Sequence, residues 1–348
     1  MAPSIANSHL SAVVSLLLFA AQLTSAQEAH NPDTVVTTPQ SFALADTKDL
    51  TTVGVKAEAV EYKGRRAVRL SKPEGDEPGL AFVNGTQLRD GTIEVDLATK
   101  VIAPPGVRRP GFTGIAFRAR SDAQHYDLFY LRPGNSHSED QAMRNHSVQY
   151  VAEPGYGWEK LRRQWPFIYE SWTDLEPEEW TRVKIEVHGR QAKLYINGAS
   201  TPSLIVDGLK GEDLQGAVAL WSYAGEESYF SNLKITPAKP DPVENGGEAA
   251  GTWDVQCGTD AGGFGGNLKL LRQDSTLSGI WSGALGPDQA VNGMWRDGYV
   301  EMSFAGTWPE KPGTVMIMLD GWIDGDSAKG RIKVEGRAMG RWTAVRKK

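Results

Sequence analysis

The stretch "KIEVHGRQAKLYINGAS", residues 184–200, decides the fold. Ile185 and Val187, then Leu194 and Ile196, alternate with polar residues on either side of His188-Gly189-Arg190, and Asn197-Gly198 opens the next turn. A period of two places one apolar face on each of two strands, and the short glycine-bearing turn between them makes an antiparallel hairpin. Outward from this hairpin the same texture continues through "AVRLS", "LAFVNGTQL", "GTIEVDLATK", "GFTGIAFRAR", "YDLFYLR", "AVALWSYA" and "SNLKITP". Helical periodicity is almost absent. Short β-branched and aromatic runs at near-regular spacing imply antiparallel sheets packed face to face, since a lone sheet cannot cover its apolar surface.

The chain has 348 residues, 40% of them hydrophobic and 23% charged, which suits two modest globular domains. A net charge of -6 leaves no basic footprint for nucleic acid. The N-terminus carries an apolar run from Ala12 to Leu23 followed by small residues ending at Ala26. This reads as a secretory signal peptide over residues 1–26, too short for a membrane span, so a secreted or periplasmic protein of a bacterial envelope is expected. No later stretch is apolar and long enough to be transmembrane. The one cysteine, Cys257, has no internal disulfide partner.

The ordered runs "GTIEVDLAT", "GFTGIAFRARSDAQHYDLFYLRPG", "EEWTRVKIEVHGRQAKLYINGA" and "GAVALWSYAGEESYFSNLKIT" resemble the concanavalin A-like lectin/glucanase jelly roll. Within it they are similar to bacterial secreted domains named after 3-keto-disaccharide hydrolases, over residues 41–237. The hallmarks are Gly114, Ile115, Phe117 and Arg118, the strand from Trp180 to Val187, the Tyr195-Ile196-Asn197-Gly198 turn, and Phe230-Ser231-Asn232-Leu233. These are structural hallmarks, so they imply a fold before an activity.

A Pro- and Gly-bearing polar run then marks a linker over residues 238–250, separating a jelly-roll domain at 27–237 from a second domain at 251–348. Gly-x-Trp recurs there at Trp253, Trp281, Trp295, Trp308 and Trp342. Up-and-down strands with glycine corners predict a small meander β-barrel, because closure removes exposed edges. It is similar in texture to avidin-like and lipocalin-like barrels, and that likeness stops at architecture. The tryptophans are expected to fill the barrel or seal its ends; a cavity lined by Trp281, Trp295, Trp308 and Trp322 is the alternative. The expected fold class is therefore all-β, an antiparallel jelly-roll sandwich followed by a barrel.

Chemistry is expected in the long connection over residues 133–178, since loops of such length are usually functional. Its core, "QYVAEPGYGWEKLRRQWPFIYESW", fits neither strand nor helix periodicity and combines seven rings with basic side chains. Sugars stack their C–H faces on Trp or Tyr while Arg and Asn bond their hydroxyls. The candidate ligand-binding residues are Arg132, Asn135, His137, Arg144, His146, Tyr150, Trp158 and Trp165. His137, His146 and Asp140 are candidates for acid–base work, and His125, at the start of the strand beginning Tyr126-Asp127, is a further residue that could face the same cleft. The alternative for the rings is a small core beneath the loop. Glu94 and Asp96 share one strand face, but Ala98 and Thr99 stand where the fold's glucanases carry a further Glu, so the paired-carboxylate mechanism does not carry over. No metal or cofactor site is expected. The sequence thus predicts a lectin-like binder of a glycan or glycoside with the barrel as accessory. An enzyme acting on a 3-keto-glycoside, as the resemblance implies, is the first alternative. A structural envelope protein is the second.

Overall fold

The computed structural model describes residues 38–72, 77–102, 109–238 and 248–348. The signal peptide expected at 1–26 lies outside these residues, as does the linker stretch 239–247. The described part belongs to one compact unit built around two hydrophobic cores.

The first core lies between two antiparallel sheets. One sheet runs β13 (Leu204–Val206), β12 (Gln191–Ile196), β11 (Thr181–His188), β6 (Gly91–Val101), β15 (Glu226–Pro237), β4 (Arg65–Ser71) and β3 (Lys56–Tyr62). β1 (Gln40–Phe42) pairs with β15 off this path. The other runs β10 (Glu170–Ser171), β9 (Val148–Glu153), β8 (Tyr126–Leu131), β7 (Thr113–Ala119), β14 (Ala217–Ser222), β5 (Gly79–Val83) and β2 (Leu50–Val53). The 184–200 hairpin is β11 and β12, with Ile185 opposite Leu194 and Val187 opposite Ala192 on the buried face. This two-sheet order is the expected jelly-roll sandwich. Arg118 ties its end together: the buried guanidinium donates to the carbonyls of Arg89 and Gly189 and to Asp90.

The second core fills a closed barrel of β16 (Gly251–Thr259), β17 (Gly262–Gln273), β18 (Thr276–Gly283), β19 (Gly286–Arg296), β20 (Tyr299–Trp308), β21 (Lys311–Asp324), β22 (Ser327–Val334) and β23 (Arg337–Arg346). Trp253, Trp281, Trp308 and Trp342 are buried in it, Trp281 stacked on Phe304 at 5.0 Å. Trp295 is partly buried beneath the Arg272 guanidinium, 3.6 Å from its ring centroid. Trp322 instead faces the sandwich and donates its indole N–H to the Asp207 carbonyl, 2.8 Å away. Four of these indoles therefore act as filling.

The segment after β13 is where sandwich and barrel meet. Gly208 is required there by close approach, since a Cβ would stand 2.3 Å from the Tyr299 ring. Asp207 pairs with Arg331, and buried Arg190 pairs with Asp297 at 2.9 Å. Lys210 is the centre of the junction. Its ammonium is buried among Trp165 and Tyr156 of the long loop, Tyr169, and Tyr299 of the barrel, and it bonds Glu301. Burial, with Lys333 nearby, drives its pKa well below the usual lysine range, Asp320 opposing. Removing Lys210 leaves the partly exposed Glu301 without its counter-ion and the ring cage without the ammonium that fills it. Lys210→Met is expected to destabilise the protein by about 3 kcal/mol, read as a lowered urea midpoint; an unchanged midpoint would show that the junction contributes nothing.

Candidate functional site

Strand periodicity builds a cleft on the outer face of the seven-stranded sheet. Opposed residues in a ladder share a face, so Gln149, Tyr130, Gly114, Trp221, Leu80 and Val53 form one row across six strands. The alternate row, Tyr150, Phe129, Ile115, Leu220 and Ala81, faces the sandwich core. Gly114 has no side chain to separate its neighbours, and a Cβ there would lie 2.4 Å from the Phe129 carbonyl oxygen and 2.7 Å from the Tyr130 Cβ. Tyr130 and Trp221 consequently meet over it at 5.4 Å. Phe112 and Tyr223 complete a closed cycle of four rings, with contacts Phe112–Tyr130 at 6.0 Å, Phe112–Tyr223 at 5.5 Å and Trp221–Tyr223 at 6.1 Å.

This cycle lines a cleft of about 890 Å³. Tyr126, Leu128 and Val151 extend the floor, and Trp158, at the start of helix α3 (Trp158–Gln164), stands on the wall with 43% of its surface exposed. Lys72, Glu77, Asp122, Gln124 and Glu153 supply the polar lining. Burial raises the Glu153 carboxyl above the usual range, with Glu77 pushing the same way and the Gly155 N–H opposing. Asp122 is committed to its own turn: it accepts from the backbone of Gln124 and His125 and lies 2.7 Å from His125 Nδ1.

Of the residues expected to hold ligand, Trp158 lines this cleft. Arg132 and His146 stand one layer behind it. The buried Arg132 guanidinium donates to the Tyr130 hydroxyl at 2.5 Å and lies over the Tyr130 and Phe112 rings at 4.8 and 5.7 Å. Arg162 packs over the Trp158 ring at 4.8 Å and grips buried Glu170 with bonds of 2.9 and 2.6 Å. His146 Nδ1 sits 2.9 Å from the same carboxylate without hydrogen-bond alignment, and burial lowers its pKa against the pull of Glu170. Together these residues fix the orientation of the cleft rings.

Tyr150 and Trp165 belong to the interior. Tyr150 is fully buried, donates to Asp127 and accepts from the Lys210 N–H at 2.6 Å, while Trp165 carries the Lys210 ammonium 4.2 Å from its ring centroid. Asn135, on helix α1 (Pro133–Ser136), is buried and reaches the His146 carbonyl at 3.5 Å. His137 and Arg144 border a separate shallow cup with Trp172 and Asp174; exposed His137 bonds Asp174 at 2.7 Å, which raises its pKa. Asp140 caps helix α2 (Gln141–Arg144) by accepting from Ala142 N–H at 2.8 Å. Hence His137, His146 and Asp140 do not converge on one pocket. Glu94 pairs with Arg182, and Asp96 with Arg65, on the outside of the other sheet. Among the described residues no cluster of His, Cys, Asp or Glu is arranged to hold a metal, and no helix is long and apolar enough to cross a membrane.

The sequence reading missed Phe112, Tyr126, Tyr130, Trp221 and Tyr223 as a surface. Part of their signal was available as period-two spacing, with Tyr126, Leu128 and Tyr130 alternating along one strand and Trp221 and Tyr223 spaced i, i+2 at the end of another.

No family model matches the chain, and no curated protein does. Among solved structures, it is similar to the carbohydrate-binding module CBM66 from Bacillus subtilis, at 17% identity and TM-score 0.37, covering 54% of this chain and 95% of that one. A Bacillus subtilis protein of unknown function with a galectin-like fold matches at 13% identity and TM-score 0.40, over 58% and 96%. The exoplasmic/lumenal domain of VIP36, solved with Ca2+ and Man3GlcNAc, matches at 12% identity and TM-score 0.39, over 58% and 89%. Likeness at this level says nothing about what the cleft holds.

Two predictions follow from the geometry of the floor. Gly114→Ala overpacks the row and is expected to cost about 3 kcal/mol, with loss of near-ultraviolet dichroism as Tyr130 and Trp221 part; an unperturbed spectrum and midpoint would refute the close approach. Next to Phe112, Glu226 at the start of β15 is 1% exposed, and neither carboxyl oxygen makes a well-formed hydrogen bond among the described residues. Burial pushes its pKa up to about 8, Arg109 opposing. The folded state then holds a proton that the unfolded state releases, so stability falls as pH rises from the ordinary carboxylate range through about 8. The Tm advantage of Glu226→Gln over the parent is expected to widen between roughly pH 5 and pH 9; a constant difference would contradict it.

Proposed function

We propose that the protein binds a glycan or glycoside in the cleft of the seven-stranded sheet, with the barrel as a fixed support. The observation that carries this reading is the closed cycle of Phe112, Tyr130, Trp221 and Tyr223 facing exposed Trp158 across a cleft with a polar rim. Flat apolar rings beside fixed hydrogen-bonding groups suit a pyranose, which offers a C–H face and peripheral hydroxyls. The rings are preset by Arg132 and Arg162, so little ordering entropy opposes binding. We take residues 27–237 as the binding division and 251–348 as the support, and the N-terminal apolar run supports a ligand met outside the cytoplasm.

A processing enzyme is the second reading, favoured by one observation: Glu153 lines the cleft with a carboxyl whose pKa is raised, as a proton donor requires. A product assay on each bound sugar separates the two. For the binding reading itself, a glycan screen followed by titration is decisive. Trp158→Ala is expected to weaken affinity roughly tenfold, a loss of about 1.4 kcal/mol, with the Tm unchanged because the indole is half exposed. Binding that survives both Trp158→Ala and Tyr223→Ala would move the ligand elsewhere.

A further inference from the structure

The lining of the cleft is unevenly charged. Among the described residues its carboxylates are Glu77, Asp122 and Glu153, against one cation, Lys72. Asp122 is spent on its own turn and on His125. Glu153 is different: it lines the cleft with Glu77, whose charge disfavours its ionised form, and it keeps one oxygen beyond its 3.3 Å bond from the Gly155 N–H. A positive group placed beside Glu153 would relieve this. Glu153 also stands directly opposite Tyr126 in the β8–β9 ladder, so carboxylate and ring present themselves to the cleft together.

Arg132 and Arg162 already occupy faces of Phe112, Tyr130 and Trp158, so the Glu153 carboxylate beside the Tyr126 ring is what offers a ligand ammonium an ion-paired hydrogen bond, with that ring's quadrupole adding to it. Rings and two carboxylates on one cleft describe a pocket for a sugar that is cationic at one position. A uronate or sulfated sugar would meet repulsion from Glu77 and Glu153.

Resting on the glycan-binding reading above, we propose that the cleft selects an amino sugar carrying a free ammonium group over its N-acetylated and acidic counterparts. Glu153 and Glu77 receive the ammonium, and the ring floor with exposed Trp158 receives the sugar face.

The test is calorimetric titration of the full chain with three oligosaccharides of equal length, built from glucosamine, N-acetylglucosamine and a hexuronic acid. The glucosamine oligomer is expected to bind at least roughly tenfold tighter than the N-acetylated one, with no detectable uronate binding. Glu153→Gln should erase that preference, and the exposed Glu77→Gln should reduce it without any folding liability. Equal or tighter binding of the N-acetylated or acidic oligomer, or a preference untouched by both variants, overturns the inference. Failure of all three oligomers alongside Trp158-dependent binding of a different, uncharged sugar overturns the inference and leaves the site standing. Absence of any glycan binding in the wider screen overturns the functional reading itself.

Discussion

One buried ammonium sets the relation between the parts of this protein. Lys210 leaves the sandwich, enters a cage of rings drawn from the long loop and the barrel, and finds its counter-ion on barrel residue Glu301. A charge so placed is tolerated only when its partners are held in position, so the cage and the carboxylate must be present together. Trp165, the closest ring, caps the C-terminal end of α3, whose first residue is Trp158. Barrel, junction, helix and cleft wall are thereby linked through contiguous packing. The barrel is packed against the sandwich, and its tryptophans are spent on its own interior and on this seam.

The cleft follows from simpler rules. Strand alternation sends one set of side chains into the sandwich and the other outward, and the outward set would ordinarily be polar. Here the outward residues of β8, Tyr126, Leu128 and Tyr130, are all rings or apolar, which requires cover on the outside as well. The long loop supplies that cover, and the space left between loop and sheet is the cleft. Gly114 decides its floor, because only a missing side chain lets Tyr130 and Trp221 close over the middle strand. Arg132 and the Arg162–Glu170 pair then hold rings that would otherwise rotate, so charged residues of the loop serve the site without touching its contents.

Much of this was legible in the sequence. Period-two runs, turn chemistry and Gly-x-Trp corners dictated two sheets and a barrel, and the aromatic loop was identifiable by its broken periodicity. The division of its rings was not. Trp158 and Trp165 are seven residues apart on one short helix and its cap, yet one faces the cleft and the other the junction. That choice depends on Lys210, 45 positions beyond Trp165 in the chain. His137 and His146 looked like neighbours, but His137 ends α1 and the α2 turn between the two sends one to an exposed cup and the other beneath Glu170. The floor rings were hidden for a related reason: spacing reveals that Tyr126 and Tyr130 share a face, while only strand order reveals that Trp221 joins them.

Amide hydrogen exchange, with and without a saturating glycan found by screening, tests the central claim most directly. Ligand in the cleft predicts slowed exchange at 126–130, 151–158 and 221–223, with the barrel strands and the cup around His137 and Trp172 unchanged. Protection centred on the cup or on the barrel, with the cleft strands unaffected, would contradict it.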